Sequence, residues 1–207
     1  MSPRNFENEE AYAKIAAPFE GENFPAYDDR FDYVQMLDWA SGGDYSEDPH
    51  KNFYENFVDY LCFVTPKSFE PYQPYLQWIL KDLHNKGSLY TRRDGEESLL
   101  DTGVCRAIDS GNPDFLRYLS GVHNLSWDQN ETIKILEDAL NNIITAHPTN
   151  QAGSLGVLEV LFQLFFGSLE DLKYKTLPCE VQEKIMQVKG LSGGSKVLTT
   201  FFAEIGA

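Results

Sequence analysis

Hydrophobic residues recur at three- and four-residue intervals through most of this chain, and the two-residue alternation of half-buried strands hardly occurs. That period places apolar side chains along one face of an α-helix, so the pattern predicts an all-α fold. Residues 155–166 constrain the fold most. The run Leu-Gly-Val-Leu-Glu-Val-Leu-Phe-Gln-Leu-Phe-Phe is apolar on nearly every side, interrupted only by Gly156, Glu159 and Gln163. In water a helix without a polar face must be covered by other helices. The run is also shorter than the roughly 20 residues of a membrane span. It is expected at the centre of the C-terminal half, with no transmembrane helix in the chain.

Caps and breakers divide the rest into about ten helices. Residues 7–17 form the first, with Tyr12, Ile15 and Ala16 inward and Pro18 as its stop. Residues 28–40 follow, capped by Asp28 or Asp29 and ended by Gly42-Gly43. Asp48-Pro49 reads as an N-cap and first-turn proline opening a helix with Phe53, Phe57 and Leu61 on one face. The next begins at Pro74, turns Leu76, Ile79, Leu80 and Leu83 inward, and ends at Gly87, where a left-handed cap belongs. Residues 89–95 are the best candidate for extended structure. Helices then cover residues 96–110 and a short segment from Pro113. Ser126-Trp127-Asp128-Gln129 matches a capping box and starts another. Two final helices are expected over residues 178–189 and 195–205.

Ala107 through Leu119, which includes Gly111-Asn112-Pro113, resembles the helix-turn-helix part of an ankyrin repeat. That resemblance implies helix-pair packing. It covers about 13 residues, lacks the threonine-proline-leucine-histidine opening and has no second copy 33 residues away, whereas repeat arrays need several units to bury a continuous core. A compact irregular bundle is therefore expected, as a single domain with a more acidic part (1–65) and a helical core part (66–207). Leu158-Glu159-Val160-Leu161-Phe162-Gln163 is similar to a picornaviral 3C protease recognition sequence, but Leu164 follows it, and it lies within the core-like run.

Charge sets the functional expectation. Residues 1–60 hold 14 acidic and 4 basic side chains, net −10 of the chain's −15. An acidic end attracts cationic partners and repels nucleic acid and anionic lipid at the distances where association begins. Aromatics are interleaved with these acids, and aromatic anchors ringed by carboxylates suit capture of a basic protein surface. The expected partner-binding residues are Tyr27, Asp28, Asp29, Asp32, Asp44, Tyr45, Glu47 and Asp48. The competing reading makes the aromatics core and the acids a solubility feature.

Spacing offers no catalytic or cofactor motif. Asp44 to His50 lacks the glycine and closing glutamate of a calcium loop. Asp28 and Asp32 lie one turn apart without the Glu-x-x-His partners of a di-metal bundle. Gly193-Gly194-Ser195-Lys196 lacks phosphate-loop spacing and reads as a turn with a serine cap. His50, His84, His123 and His147 fall near inferred helix ends, facing terminal carbonyls or water. Cys62, Cys105 and Cys179 are widely separated, and the N-terminal residues have no apolar signal region, which together predict buried, reduced thiols in the cytoplasm. The expectation is a non-enzymatic inhibitor without metal or cofactor, most concretely an immunity protein neutralising a bacterial toxin. A phage-encoded inhibitor of a nucleic-acid-binding complex, a helical enzyme with a dispersed site and a helical-repeat scaffold are the alternatives.

Overall fold

The computed structural model describes residues 3–40, 48–63, 70–90, 98–122, 125, 127–165, 174–191 and 195–207. Among them the fold is all-α: ten α-helices and no strand. The chain packs as two compact units, Met1–Gly103 and Val104–Ala207.

In the first unit α1 (Pro3–Ala16) runs into a 3₁₀ turn at Ala17–Phe19 and packs on α2 (Tyr33–Ala40). α2 packs on α3 (Pro49–Phe63), and α3 on α4 (Gln73–Asn85). The expected helix over residues 28–40 begins five residues late. Residues 28–31 form a turn closed by the Phe31 amide on the Asp28 carbonyl at 3.0 Å. Asp32, rather than Asp28 or Asp29, accepts the Gln35 amide at 3.1 Å. Asn8 of α1 completes the cap, its Oδ1 accepting the amides of Tyr33 at 2.7 Å and Val34 at 3.3 Å. Three N–H groups that a helix start leaves without an intrahelical partner are thus satisfied, two of them from another helix.

The core of this unit is aromatic. Phe31, Tyr33, Phe57, Tyr60 and Tyr75 are fully buried, and Tyr72 nearly so. Phe31 touches Tyr33, Tyr72 and Tyr75 with ring centroids 4.3, 4.6 and 5.3 Å away. Tyrosine can replace phenylalanine here because its hydroxyls find partners: Tyr33 and Tyr75 share a short hydrogen bond, Tyr75 donates to the Ala26 carbonyl at 3.0 Å, and Tyr33 accepts the Asp28 amide at 2.9 Å. Tyr54 donates to the Leu99 carbonyl at 2.9 Å. As expected, Phe53, Phe57, Leu61, Leu76, Ile79, Leu80 and Leu83 are buried, and Gly87 takes φ +70°. Leu89 and Tyr90 form a bend, and residues 91–97 of the expected extended segment lie outside the described residues.

α5 (Leu99–Ser110) contains the boundary between the units. In the second unit follow α6 (Pro113–Val122), α7 (Gln129–Thr145), α8 (Gln151–Phe165), α9 (Cys179–Leu191) and α10 (Lys196–Glu204). α8 is the expected central helix: α6, α7 and α10 all pack on it, and Val157, Leu158, Val160, Leu161 and Phe162 are buried. The protease-like string therefore lies in a covered helix. α7 starts two residues later than expected, because its capping box is Asp128 and Glu131. The Glu131 amide donates to Asp128 Oδ1 at 2.9 Å, and the Asp128 amide to Glu131 Oε2 at 3.1 Å. Ser195 caps α10 as predicted, accepting the Leu198 amide. Of the thiols only Cys62 is buried; Cys105 is half-buried and Cys179 exposed.

Candidate functional site

The first unit holds two constellations of acidic side chains. One is an acidic groove of about 560 Å³ between α1 and α2, lined by Glu7, Asn8, Asp29, Arg30, Phe31, Asp32, Val34, Gln35 and Asp38. Its shape follows from the late start of α2. The turn at residues 28–31 contributes Asp29, Arg30 and Phe31 to the lining, and the start of α2 with its cap contributes Asp32, Val34, Gln35 and Asp38. Four carboxylates, from Glu7, Asp29, Asp32 and Asp38, share the lining with one guanidinium. That guanidinium is engaged with Asp28: Arg30 Nη2 donates to Oδ2 at 2.7 Å and Nε to Oδ1 at 3.0 Å. The hydrogen bond from Arg30 holds the Asp28 carboxyl below the usual carboxylate range, against the opposing effect of partial burial.

The groove brings together Asp29 and Asp32 of the expected set and adds Glu7 and Asp38. Neither addition has a local signal in sequence, since only the packing of α1 on α2 faces them toward each other. Asp28 lies beside the groove in its pairing with Arg30. Tyr27 is half-buried, stacked on Tyr33 at 5.3 Å and edge-on to Tyr12 at 5.6 Å, and its hydroxyl accepts from Asn8 Nδ2 at 3.4 Å. Asp48 caps α3, accepting the amides of His50 at 2.9 Å and Lys51 at 3.4 Å. Asp44, Tyr45 and Glu47 lie outside the described residues.

The second constellation joins three separate elements. Glu22 follows the 3₁₀ turn, His50 stands in the first turn of α3, and Asp82 in the last two turns of α4. His50 Nε2 lies 2.8 Å from Glu22 Oε2 and 3.5 Å from Asp82 Oδ2, and one ligand atom from each residue falls within 4.8 Å of the others. His50 departs from the expectation of a solvent-facing or carbonyl-bound histidine. It is 7% exposed, whereas His84 and His147 are exposed. Phe19 meets its ring edge-on at 5.0 Å, and Trp78 lies 5.9 Å away. Its Nδ1 is 3.6 Å from Asp48 Oδ1. Lys86 Nζ approaches Asp82 Oδ2 at 2.7 Å. Sequence spacing could not reveal this group, because its members are 28 and 32 positions apart.

Among the described residues no helix is long and apolar enough to cross a membrane. Compared with known protein families, curated proteins and solved structures, the chain matches none.

Proposed function

We propose that this protein is a non-enzymatic, cytoplasmic inhibitor that captures a cationic protein through the acidic α1–α2 groove, in its most concrete form an immunity protein that neutralises a bacterial toxin. The observation that carries the reading is the groove lining: four carboxylates face one guanidinium that is already paired with Asp28. A lysine or arginine of the partner entering there meets net negative charge, the backbone-capped carboxylate of Asp32 and the side-chain amide of Gln35. The charge is also local: the unit holding the groove carries 20 acids and 9 bases, the other 12 and 8.

The test begins with affinity capture from the native host and continues with the purified partner. Neutralising the groove with Glu7→Gln, Asp29→Asn, Asp32→Asn and Asp38→Asn should weaken binding by at least about tenfold, since close charge pairs across interfaces couple by roughly 1.5 kcal/mol or more. Asparagine at position 32 keeps a capping oxygen, so α2 should persist. The control reverses Asp138, Glu180 and Glu204 in the second unit. Loss of binding only in the control would refute the groove.

A further inference from the structure

We propose that Glu22, His50 and Asp82 form a binding site for a divalent first-row transition cation, with zinc as the reference ion. One imidazole nitrogen and two carboxylates are a donor set such ions accept, and three protein ligands leave a fourth position open. The distances suit this. With metal–ligand bonds of about 2.0–2.2 Å, tetrahedral ligand atoms lie roughly 3.4 Å apart. His50 Nε2 and Asp82 Oδ2 already stand 3.5 Å apart. Glu22 Oε2, at 2.8 Å, is at proton-bridged distance and must draw back by about half an ångström to admit the ion. Glu22 is exposed and lies outside any helix, so a side-chain rotation suffices.

The histidine is held in place without a metal. Phe19 and Trp78 wall the ring, and Asp48 Oδ1 lies on its Nδ1 side, so that with Nε2 on the ion the ring proton faces a carboxylate. Asp82 supplies an independent sign. Its Oδ2 is shut off from water and accepts no well-aligned hydrogen bond, although Lys86 Nζ approaches it at 2.7 Å. A buried carboxylate oxygen needs a counter-charge. Lys86, with 41% of its side chain exposed, provides one from the solvent side and can swing away. The carboxylates of Glu22 and Asp82 carry two negative charges, which a dication balances. On binding, the ion takes over from Lys86 as the counter-charge of Asp82 Oδ2.

Isothermal titration of the tag-free, chelator-stripped full chain with zinc, and the visible bands of added cobalt, test the proposal. One equivalent should bind, and Glu22→Gln and Asp82→Asn should each weaken binding by at least about tenfold, the loss that even ligand-supporting residues produce. Lys86→Met should tighten binding, because the competing ammonium is gone. A purely structural ion-pair cluster predicts no such gain. Circular dichroism in chelator reports folding, and Glu22→Gln, altering an exposed side chain, keeps the test open if Asp82→Asn fails to fold. Absence of saturable binding, affinity unchanged by Glu22→Gln, or weaker binding in Lys86→Met would overturn the site.

Discussion

Gly111 and Gly153 meet backbone to backbone: a Cβ on Gly153 would overlap the carbonyl oxygen of Gly111, so α8 passes the α5–α6 corner with no room for a side chain. Asn142 reinforces the corner, its Nδ2 donating to the Asp109 carbonyl at 2.9 Å and its Oδ1 accepting from Ser154 at 2.6 Å. Gly111 has φ +65°, and a Cβ there would lie 3.0 Å from the Ser154 amide.

Alanine at these positions should therefore reverse the usual sign. In an open helix interior, Gly→Ala stabilises by roughly 0.5–1 kcal/mol. Gly190→Ala in α9, where a Cβ meets nothing, should follow that rule. Gly153→Ala should instead destabilise by about 1–3 kcal/mol, the usual cost of overpacking. Urea denaturation of the two variants decides it, and equal stabilisation of both would show that α8 does not pass so close to Gly111.

The tyrosine core predicts a stability limit at high pH. Burial pushes Tyr33 up to about 12, and raises Tyr12, Tyr54, Tyr60, Tyr72 and Tyr75 above the ordinary value as well. The folded chain thus keeps phenolic protons that the unfolded chain releases near 10. Stability from these groups is present below that pH and is lost as pH rises through the folded values. Phenolate absorbance should rise in two stages, the second coinciding with loss of helical circular dichroism. A single reversible titration near 10 with helix retained would contradict the buried cluster.

Helices were legible in this sequence because period and caps are local. Asp48-Pro49, Gly87 and the apolar run in α8 each declare an element within a few residues. The misplaced starts have physical causes. α2 begins late because part of its cap comes from Asn8, 25 residues upstream of Tyr33, which no local pattern announces. α7 begins late because Ser126/Gln129 and Asp128/Glu131 both satisfy the capping-box spacing. In the second pair the carboxylates also oppose the positive end of the helix dipole. The groove was half legible, since charge density pointed to Asp29 and Asp32 while Glu7 and Asp38 required the packing of α1 on α2. The Glu22–His50–Asp82 group was not legible at all, because convergence of a loop and two helices is a tertiary fact.

Asn8 makes the capping claim testable. Asn8→Ala removes the acceptor for the Tyr33 and Val34 amides and the donor to the Phe31 carbonyl at 2.7 Å. The cost should be about 1–3 kcal/mol, as for a lost cap together with a stranded buried polar group. Asn8→Asp retains the acceptor but sets a carboxylate oxygen against the Phe31 carbonyl in place of the donating nitrogen, so it should recover little of the loss. Matching urea midpoints for wild type and Asn8→Ala would remove Asn8 from the account of α2.

If the groove recruits its partner by charge, the kinetics must carry the mark of screening. Exposed carboxylates act on the approaching molecule before contact, over the Debye length, which shrinks from about 14 Å to about 4 Å as ionic strength rises from about 0.05 to 0.5 M. The association rate should fall steeply over that range while the dissociation rate, set by short-range contacts, changes little. Asp29→Asn and Asp38→Asn together should flatten the salt dependence of association. Replacing Tyr27 with alanine should act on dissociation instead if its ring reaches the interface. Stopped-flow or surface-based kinetics with the purified partner separate the two rates. An association rate insensitive to salt would mean that the net −10 of residues 1–60 keeps the protein soluble and does not steer a partner.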